Sequence, residues 1–276
     1  MQKYYLTTPI YYVNDKPHIG HAYTTILADT IARYRALLGE EPMLLTGLDE
    51  HGLKVQQAAE KNGKSPKDHC DDMAPAFVNL WEKLNIKYSD FIRTTEERHT
   101  AVVQKILDEV HKNGDIYIDE YEGWYSVSEE RFITEKELDS GEFGQVKKIK
   151  EKNYFFKMSK YQTQLIKKIE SDELLIQPVS RKNEVLGFLR NELSDLCISR
   201  PKSRLEWGIE LPFDKDYVTY VWFDALINYI SAIGAFKNTV NFKKLWPADV
   251  HLIGKDILTT HSVYWPTMLL SLNIPL

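Results

Sequence analysis

Apolar positions in the first 115 residues alternate between short continuous runs and longer stretches with helical spacing. The short runs predict strands at residues 4–8, 42–46 and 91–94. The stretches between and after them predict helices, at residues 18–38, 53–62, 71–84 and 96–112. Strands that alternate with helices are typical of a parallel sheet covered by helices.

The pattern changes at residue 116. Short aromatic runs with glycine-containing turns predict antiparallel strands over 116–152, helices at 161–174 and 181–196, and strands at 205–211 and 217–222. The alternating pattern then returns, with a helix at 224–234, a strand at 251–253 and a helix at 256–270. We therefore predict an α/β fold, a Rossmann-like doubly wound parallel sheet split by an inserted domain. Its halves are residues 1–115 and 220–276, and the insertion is 116–219.

Composition narrows the class of protein. The 276 residues contain no apolar run of about 18, so no membrane span is predicted. Only two cysteines occur, Cys70 and Cys197, which excludes a disulfide scaffold and favours a cytoplasmic location. A net charge of −5 does not suit a non-specific nucleic-acid coat, because such binding needs a basic surface.

The first candidate for chemistry is the stretch Pro-His-Ile-Gly-His at 17–21, where a predicted strand gives way to a long helix. His18 and His21 are three residues apart and therefore share one face of the first helical turn. A helix N-terminus holds phosphate through its free N–H groups and partial positive charge. Gly20 lets a flat base approach the backbone. The pattern favours nucleotide binding over two ordinary capping histidines.

Two further motifs follow predicted strands, at the sheet edge where doubly wound folds bind ligands. The carboxylate of Asp49 can pair with an ammonium group; alternatively, Asp49 or Glu50 simply caps the next helix. In the segment Gly254-Lys255-Asp256, the aspartate can accept hydrogen bonds from ribose hydroxyls and the lysine can pair with phosphate. The alternative there is a glycine turn with a capping aspartate.

Two more segments are ambiguous on their own. Trp222, Ala225, Leu226 and Tyr229 either line an apolar pocket or belong to the core, and periodicity alone favours the core. The tetrapeptide KMSK at 157–160 looks like an ATP-phosphate loop. It lies within the insertion and before two of the pocket motifs, so we interpret it as ordinary structure.

Together these segments resemble the class I aminoacyl-tRNA synthetases and, more narrowly, the methionyl-tRNA synthetases. The resemblance rests on TPIYYVNDKPHIGH (8–21), TGLDEHG (46–52), YVWFDALINY (220–229) and IGKDIL…HSVYWP (253–266), and it covers essentially the whole chain. It implies that L-methionine is activated by ATP, with Mg²⁺ accompanying the ATP, to methionyl-adenylate. The methionyl group then passes to tRNA(Met). The valine, leucine, isoleucine and cysteine enzymes share the HIGH motif but not this set.

The resemblance also implies roles for individual residues. The implied ATP contacts are His18, Gly20, His21, Gly254 and Asp256. The implied catalytic groups are His18, His21, Lys255 and Arg200. The implied methionine-binding residues are Ile10, Tyr12, Asp49, Trp222, Ala225, Leu226, Tyr229, Ile257, His261 and Trp265. Such an aromatic pocket suits a polarizable thioether, which packs well against ring edges.

The sequence departs from the family in two places. Many members hold zinc with cysteine pairs in the insertion, but here Ser126 and Glu129 stand where the first pair would fall, and no second pair follows. We predict that no zinc is bound. The family's KMSKS loop and anticodon-binding domain also have no counterpart in these 276 residues. We therefore expect an N-terminal piece of a longer enzyme that binds methionine but activates it poorly.

Three other readings stay open on the residues alone. They are a synthetase for another amino acid, a smaller adenylyltransferase with a HIGH motif, and a non-catalytic paralogue that acts as a binding module. The long insertion and the aromatic pocket argue against the second. The intact His18, His21, Asp49 and Lys255 argue against the third.

Overall fold

A computed structural model describes residues 2–126, 131–133, 138–139 and 145–276. The predicted alternation of the first third is confirmed. Its elements are β1 (Lys3–Tyr12), α1 (Ile19–Leu37), β2 (Glu41–Asp49), α2 (Leu53–Lys61), α3 (Pro66–Lys83), β3 (Asp90–Arg93) and α4 (Glu97–Lys112). Helix α3 begins five residues earlier than predicted, because the Ser65 side chain accepts a hydrogen bond from the N–H of Asp68 and Pro66 occupies the first helical position.

The described residues in the middle of the chain form two antiparallel sheets, and two α-helices lie between residues 162 and 189. One sheet has the strand order β5-β4-β6-β7 and the other β8-β10-β9. The strands are β4 (Ile116–Ser126), β5 (Arg131–Ile133), β6 (Val146–Phe156), β7 (Leu196–Cys197), β8 (Ser199–Pro201), β9 (Glu210–Leu211) and β10 (Asp214–Thr219). The helices are α5 (Gln162–Glu170) and α6 (Val179–Leu189). The predicted helix at 181–196 is therefore too long, because α6 ends at Leu189 and Leu196 already belongs to β7.

The last third returns to the parallel sheet. It contains α7 (Val221–Ala225), α8 (Asn228–Ser231), α9 (Thr239–Leu245), β11 (Val250–His251) and α10 (Trp265–Ser271). The predicted strand at 217–222 is wrong at its end, since β10 stops at Thr219 and α7 starts at Val221. The predicted helix at 256–270 is interrupted by a 3₁₀ turn (Lys255–Ile257) and a π-helical turn (Thr260–Tyr264).

The parallel sheet has the order β11-β1-β2-β3. β1 pairs with β2 on one side and with β11 on the other, where Leu6 lies opposite Val250. The chain therefore leaves the sheet after β3 and re-enters it on the far side of β1. This is a Rossmann-like topology, in which a crevice opens at the carboxyl ends of the two strands where the order reverses. Among the described residues, no helix has the length and apolar character to cross a membrane.

Candidate active site

A cleft of about 1300 Å³ opens at the carboxyl ends of β1 and β2. Nearly all the predicted site residues line it, although they come from both ends of the chain. These residues are Ile10, Tyr12, His18, Gly20, His21, Asp49, Arg200, Trp222, Ala225, Leu226, Tyr229, Gly254, Asp256, Ile257 and His261. Segment 191–197 of the insertion also contributes to the wall. The sheet and the insertion thus meet around one cavity.

His18 and His21 stack on each other at the N-terminus of α1, with ring centroids 3.7 Å apart. His18 Nδ1 accepts a hydrogen bond from the N–H of Gly20 at 3.1 Å, and His21 Nδ1 accepts one from the N–H of His18 at 3.3 Å. The two rings therefore cap the helix, as the simpler reading expected. They also line the cleft. A nitrogen that accepts carries no proton, so each ring has its proton on Nε2 and is a hydrogen-bond donor there.

His21 is held from the protein side by Tyr11 and Thr25. The Tyr11 ring lies 4.5 Å from the His21 ring, and the Thr25 hydroxyl donates to the His21 carbonyl at 2.9 Å. Burial, and then the neighbouring His18, lower the pKa of His21 to about 4. The ring is therefore neutral at pH 7. It can offer a donor to an anion without a positive charge of its own.

Gly20 leaves room for the His18 ring. A Cβ at this position would lie 2.9 Å from Cε1 and 3.1 Å from Nδ1 of the His18 ring. Any side chain would push the imidazole away from its acceptor position. The glycine therefore keeps the ring in place, in addition to leaving the backbone accessible.

Asp49 is the last residue of β2 and is 5% exposed. Its register partner on β1 is Tyr12, which also lines the cleft. The alternative that Asp49 or Glu50 caps α2 is wrong, because the capping residue is Gly52 and no side chain caps the helix. The Glu50 carboxylate is instead fully buried and accepts from Arg93 Nε at 2.6 Å. The buried carboxylate of Asp49 thus lies at the carboxyl end of β2, a position that suits binding of an ammonium group.

The apolar wall of the cleft is built around Tyr229. Its hydroxyl lies 2.7 Å from His261 Nε2, and His261 Nδ1 lies 2.9 Å from the carbonyl oxygen of Ile257. A carbonyl only accepts, so Nδ1 carries the proton. Burial lowers the pKa of His261 to about 4, so the ring is neutral. Nε2 is then an acceptor, and the Tyr229 hydroxyl donates to it.

Two predicted site residues do not line the cleft. Trp265 is 2% exposed and packs behind the wall, with its ring 5.9 Å from both Tyr229 and Trp246. The π-helical turn before it holds more residues per turn than an α-helix. Trp265 and His261 therefore do not share one face, as two positions four residues apart in an α-helix would. Lys255 is exposed and is not among the residues that line the cleft.

Arg200 lines the cleft from β8 and is 4% exposed. Its guanidinium lies 4.5 Å from the Tyr220 ring, and its Nη1 donates to the carbonyl of Ser199 at 2.7 Å. The KMSK segment behaves as ordinary structure. Lys160 pairs with buried Asp115 at 2.6 Å, and Lys157 donates to the Gly114 carbonyl at 2.8 Å. These lysines fasten the insertion to the end of α4.

The prediction that no zinc is bound rests in part on Ser126 and Glu129, and the structure describes only the first of them. Ser126 ends β4, whereas Glu129 lies outside the described residues. Within the part of the chain that is described, no group of three or more His, Cys, Asp or Glu is arranged to hold a metal ion. The expectation that no zinc is bound stays a prediction.

A buried cluster around Asp224 is not predicted by the sequence. Both carboxylate oxygens of Asp224 are bound, Oδ2 to His51 Nδ1 and Oδ1 to His99 Nε2, each at 2.6 Å. His99 Nδ1 in turn lies 2.8 Å from the Ser231 hydroxyl. In the sequence, Asp224 is the first residue of the predicted helix 224–234, and His99 lies within the predicted helix 96–112. A charged residue inside the apolar run YVWFDALI was the one available signal.

Comparison with known proteins identifies the family of the chain. A family model described as class I tRNA synthetases (M) matches residues 4–142 and 140–276. The methionine–tRNA ligase of Clostridium acetobutylicum is 50% identical over an alignment 281 positions long, which covers 100% of this chain and 43% of that protein. The ligase of Halalkalibacterium halodurans is 47% identical over an alignment 290 positions long, which covers 99% of this chain and 44% of that protein. This chain thus spans less than half the length of these curated relatives.

Solved structures give the same result for the fold. The chain matches Mycobacterium tuberculosis methionyl-tRNA synthetase in complex with methionyl-adenylate with a TM-score of 0.95 and 41% identity, over 100% of this chain and 56% of that one. The apo form of the same enzyme matches with a TM-score of 0.83 and 39% identity, over 100% of this chain and 54% of that one.

Proposed function

The chain belongs to the family of class I tRNA synthetases (M), and from this membership we propose that its cleft binds L-methionine and ATP and forms methionyl-adenylate. The methionine carboxylate attacks the α-phosphate of ATP, and pyrophosphate leaves. The methionyl group then passes to the 3′-terminal ribose of tRNA(Met) in the complete ligase. Among the curated relatives the chain matches proteins more than twice its length, so tRNA transfer is proposed for the longer protein.

The observation that carries the proposal is that three kinds of group meet in one cleft. The neutral rings of His18 and His21 offer Nε2–H donors at a helix N-terminus. The carboxylate of Asp49 is buried, and apolar residues around Tyr229 form one wall of the cleft. Adenylate formation needs positioning and charge stabilisation rather than a protein nucleophile. The imidazoles suit phosphate oxygens, the carboxylate suits the ammonium group, and the wall suits a thioether.

Other parts of the site extend the proposal. Gly254 and Asp256 line the cleft beyond β11, where they suit a nucleotide ribose. Arg200 offers a positive charge from the insertion. ATP acts with Mg²⁺ as its usual counterion, and we propose no zinc. We also propose residues 1–115 and 220–276 as one nucleotide-binding domain and 116–219 as the inserted domain, acting in the cytoplasm.

An amino-acid panel tests the proposal. Thermal unfolding of the purified chain is measured with methionine, leucine, isoleucine, valine and cysteine, each alone and with ATP and Mg²⁺. A ligand that binds only the folded state raises the midpoint by mass action. We expect methionine to raise it most. Stabilisation by another amino acid would assign the chain to a different synthetase. Stabilisation by ATP but by none of the amino acids would favour an adenylyltransferase.

Methionine-dependent exchange of pyrophosphate into ATP, measured on the same preparation, reports activation itself. From the sequence we predict binding with slow exchange. A rate equal to that of a longer relative would refute the prediction of slow activation, but it would leave the binding proposal intact.

A further inference from the structure

The cluster around Asp224 has no part in the chemistry proposed so far. Asp224 is 1% exposed, His99 is 0% exposed and His51 is 6% exposed. None of the three belongs to the described residues that line the cleft. A buried charge is costly unless it is fully hydrogen-bonded, so the arrangement calls for an explanation other than contact with substrate.

The hydrogen bonds of the cluster have a fixed direction. Burial alone would raise the pKa of Asp224, but His51 and then His99 outweigh it and lower the pKa to about 2. The carboxylate is therefore ionised at neutral pH and can only accept. Nδ1 of His51 and Nε2 of His99 must both donate to it. Each oxygen is used once, at 2.6 Å, so the carboxylate fixes two imidazoles at the same time.

The Asp224 carboxylate links the two ends of the proposed amino-acid site, the end that binds the ammonium group and the end that binds the side chain. His51 follows Asp49 by two residues, and the Glu50 between them is fixed by Arg93 and by the Thr95 hydroxyl. Asp224 itself lies on α7, the helix that carries Trp222 and Ala225 of the apolar wall. His99 binds the same carboxylate from α4.

We propose that Asp224 is a positioning residue that, through His51, holds the Asp49 carboxylate at a fixed separation from the apolar wall. An α-amino acid is then held at its ammonium group and at its side chain by two surfaces that cannot move apart. This inference rests on the proposed function for the identity of the ligand. It goes beyond that function by assigning the geometry of the amino-acid site to a residue that touches no substrate.

Paired variants of the chain test the inference. D224N keeps the size of the side chain but replaces one acceptor by a donor, so one imidazole N–H faces an N–H. H51A removes the link altogether. H51N is the conservative counterpart, because its side-chain amide nitrogen can occupy the Nδ1 position and donate to Asp224. D115N is the matched control: Asp115 is also 1% exposed and bound by Lys160 and Ser271, but it does not line the cleft.

Two readouts are measured on each folded variant: the dissociation constant for L-methionine by calorimetry, and the backbone amide resonances of Asp49 and Glu50 by NMR. We expect about tenfold weaker binding for D224N and H51A, which corresponds to about 1.4 kcal/mol. We expect recovery to within about threefold for H51N and a change below twofold for D115N. Amide shifts at Asp49 and Glu50 should accompany the loss of binding in D224N and H51A only.

A double-mutant cycle separates positioning from general stability. If Asp224 acts through Asp49, D224N should have almost no further effect in a D49N background. Equal losses for D224N and D115N, or full additivity with D49N, would overturn the inference. If the unmodified chain binds no methionine, the proposed function is wrong. In that case the positioning role is tested only by the backbone amide resonances of Asp49 and Glu50. If D224N leaves these resonances unchanged, the positioning role is refuted too.

Discussion

Replacing Tyr229 by phenylalanine removes one hydroxyl from the cleft wall and leaves the ring in place. The ring keeps its neighbours His251, 4.5 Å away, and Trp265, 5.9 Å away. What is lost is the donor to His261 Nε2, now at 2.7 Å. Nδ1 of the His261 ring already donates to the Ile257 carbonyl. The ring therefore cannot move its proton to Nε2 without losing this second hydrogen bond.

The expected magnitude follows from the half-buried position of His261. An unpaired buried acceptor costs about 1–3 kcal/mol, and water from the cleft can replace part of the lost bond. We therefore expect Y229F to lower the free energy of unfolding by about 1 kcal/mol. The donor stabilises only the neutral ring. Its loss should also raise the pKa of His261 above about 4, by roughly one unit for each 1.4 kcal/mol of lost hydrogen bonding.

The assay is urea unfolding together with an NMR pH titration of ¹⁵N-labelled histidines. Y5F is the control, because the Tyr5 hydroxyl is also buried but donates to the backbone carbonyl of Tyr229 at 2.6 Å. We expect a similar loss of stability in Y5F with no change in the pKa of His261. An unchanged His261 pKa in Y229F would refute the assigned proton positions, and a lowered pKa would mean that the hydroxyl accepts rather than donates.

Three further predictions concern packing, the helix cap and acid. In G47A the added Cβ would lie 2.0 Å from a carbonyl oxygen of β3, so we expect no folded protein by circular dichroism. In G20A we expect weaker ATP binding and a loss of about 1 kcal/mol in urea unfolding, because the His18 ring is displaced from its capping position; unchanged ATP affinity would contradict this. Burial lowers the pKa of His251 to about 3 and that of His261 to about 4. Both values lie below the unfolded value of about 6.5, so stability is complete above pH 6.5 and is lost as the pH falls. We expect roughly 2 kcal/mol per imidazole between pH 7 and pH 5, and a flat stability profile would refute the assignment of neutral buried rings.

Local patterns in the sequence were sufficient for part of this structure. The stacking of His18 and His21 follows from a spacing of three residues at a helix start, and the end of α1 follows from Gly39, which has a φ of 84°. The strands of the parallel sheet could be predicted because buried parallel strands are continuous apolar runs. Their spatial order could not, since β11 joins β1 from 244 residues away.

The errors have specific physical causes. The apolar run 217–222 was assigned to one strand, although its last residues leave the sheet and form α7. Trp265, which the resemblance implies for the methionine pocket, packs behind the cleft wall and follows a π-helical turn that no local pattern predicts. The partners of Asp224 lie 125 and 173 residues away along the chain. No periodicity connects positions so far apart, and only tertiary packing brings them together.

The pairing of β11 with β1 also determines when the cleft can form during synthesis. At about 5–20 residues per second, the ribosome needs roughly 12–50 s to add the 244 residues that separate the two strands. Throughout that interval β1 has an unpaired edge, which is a template for aggregation and a surface for chaperones. The nascent chain therefore exposes this edge until β11 has been synthesised, and the substrate cleft cannot form before that point.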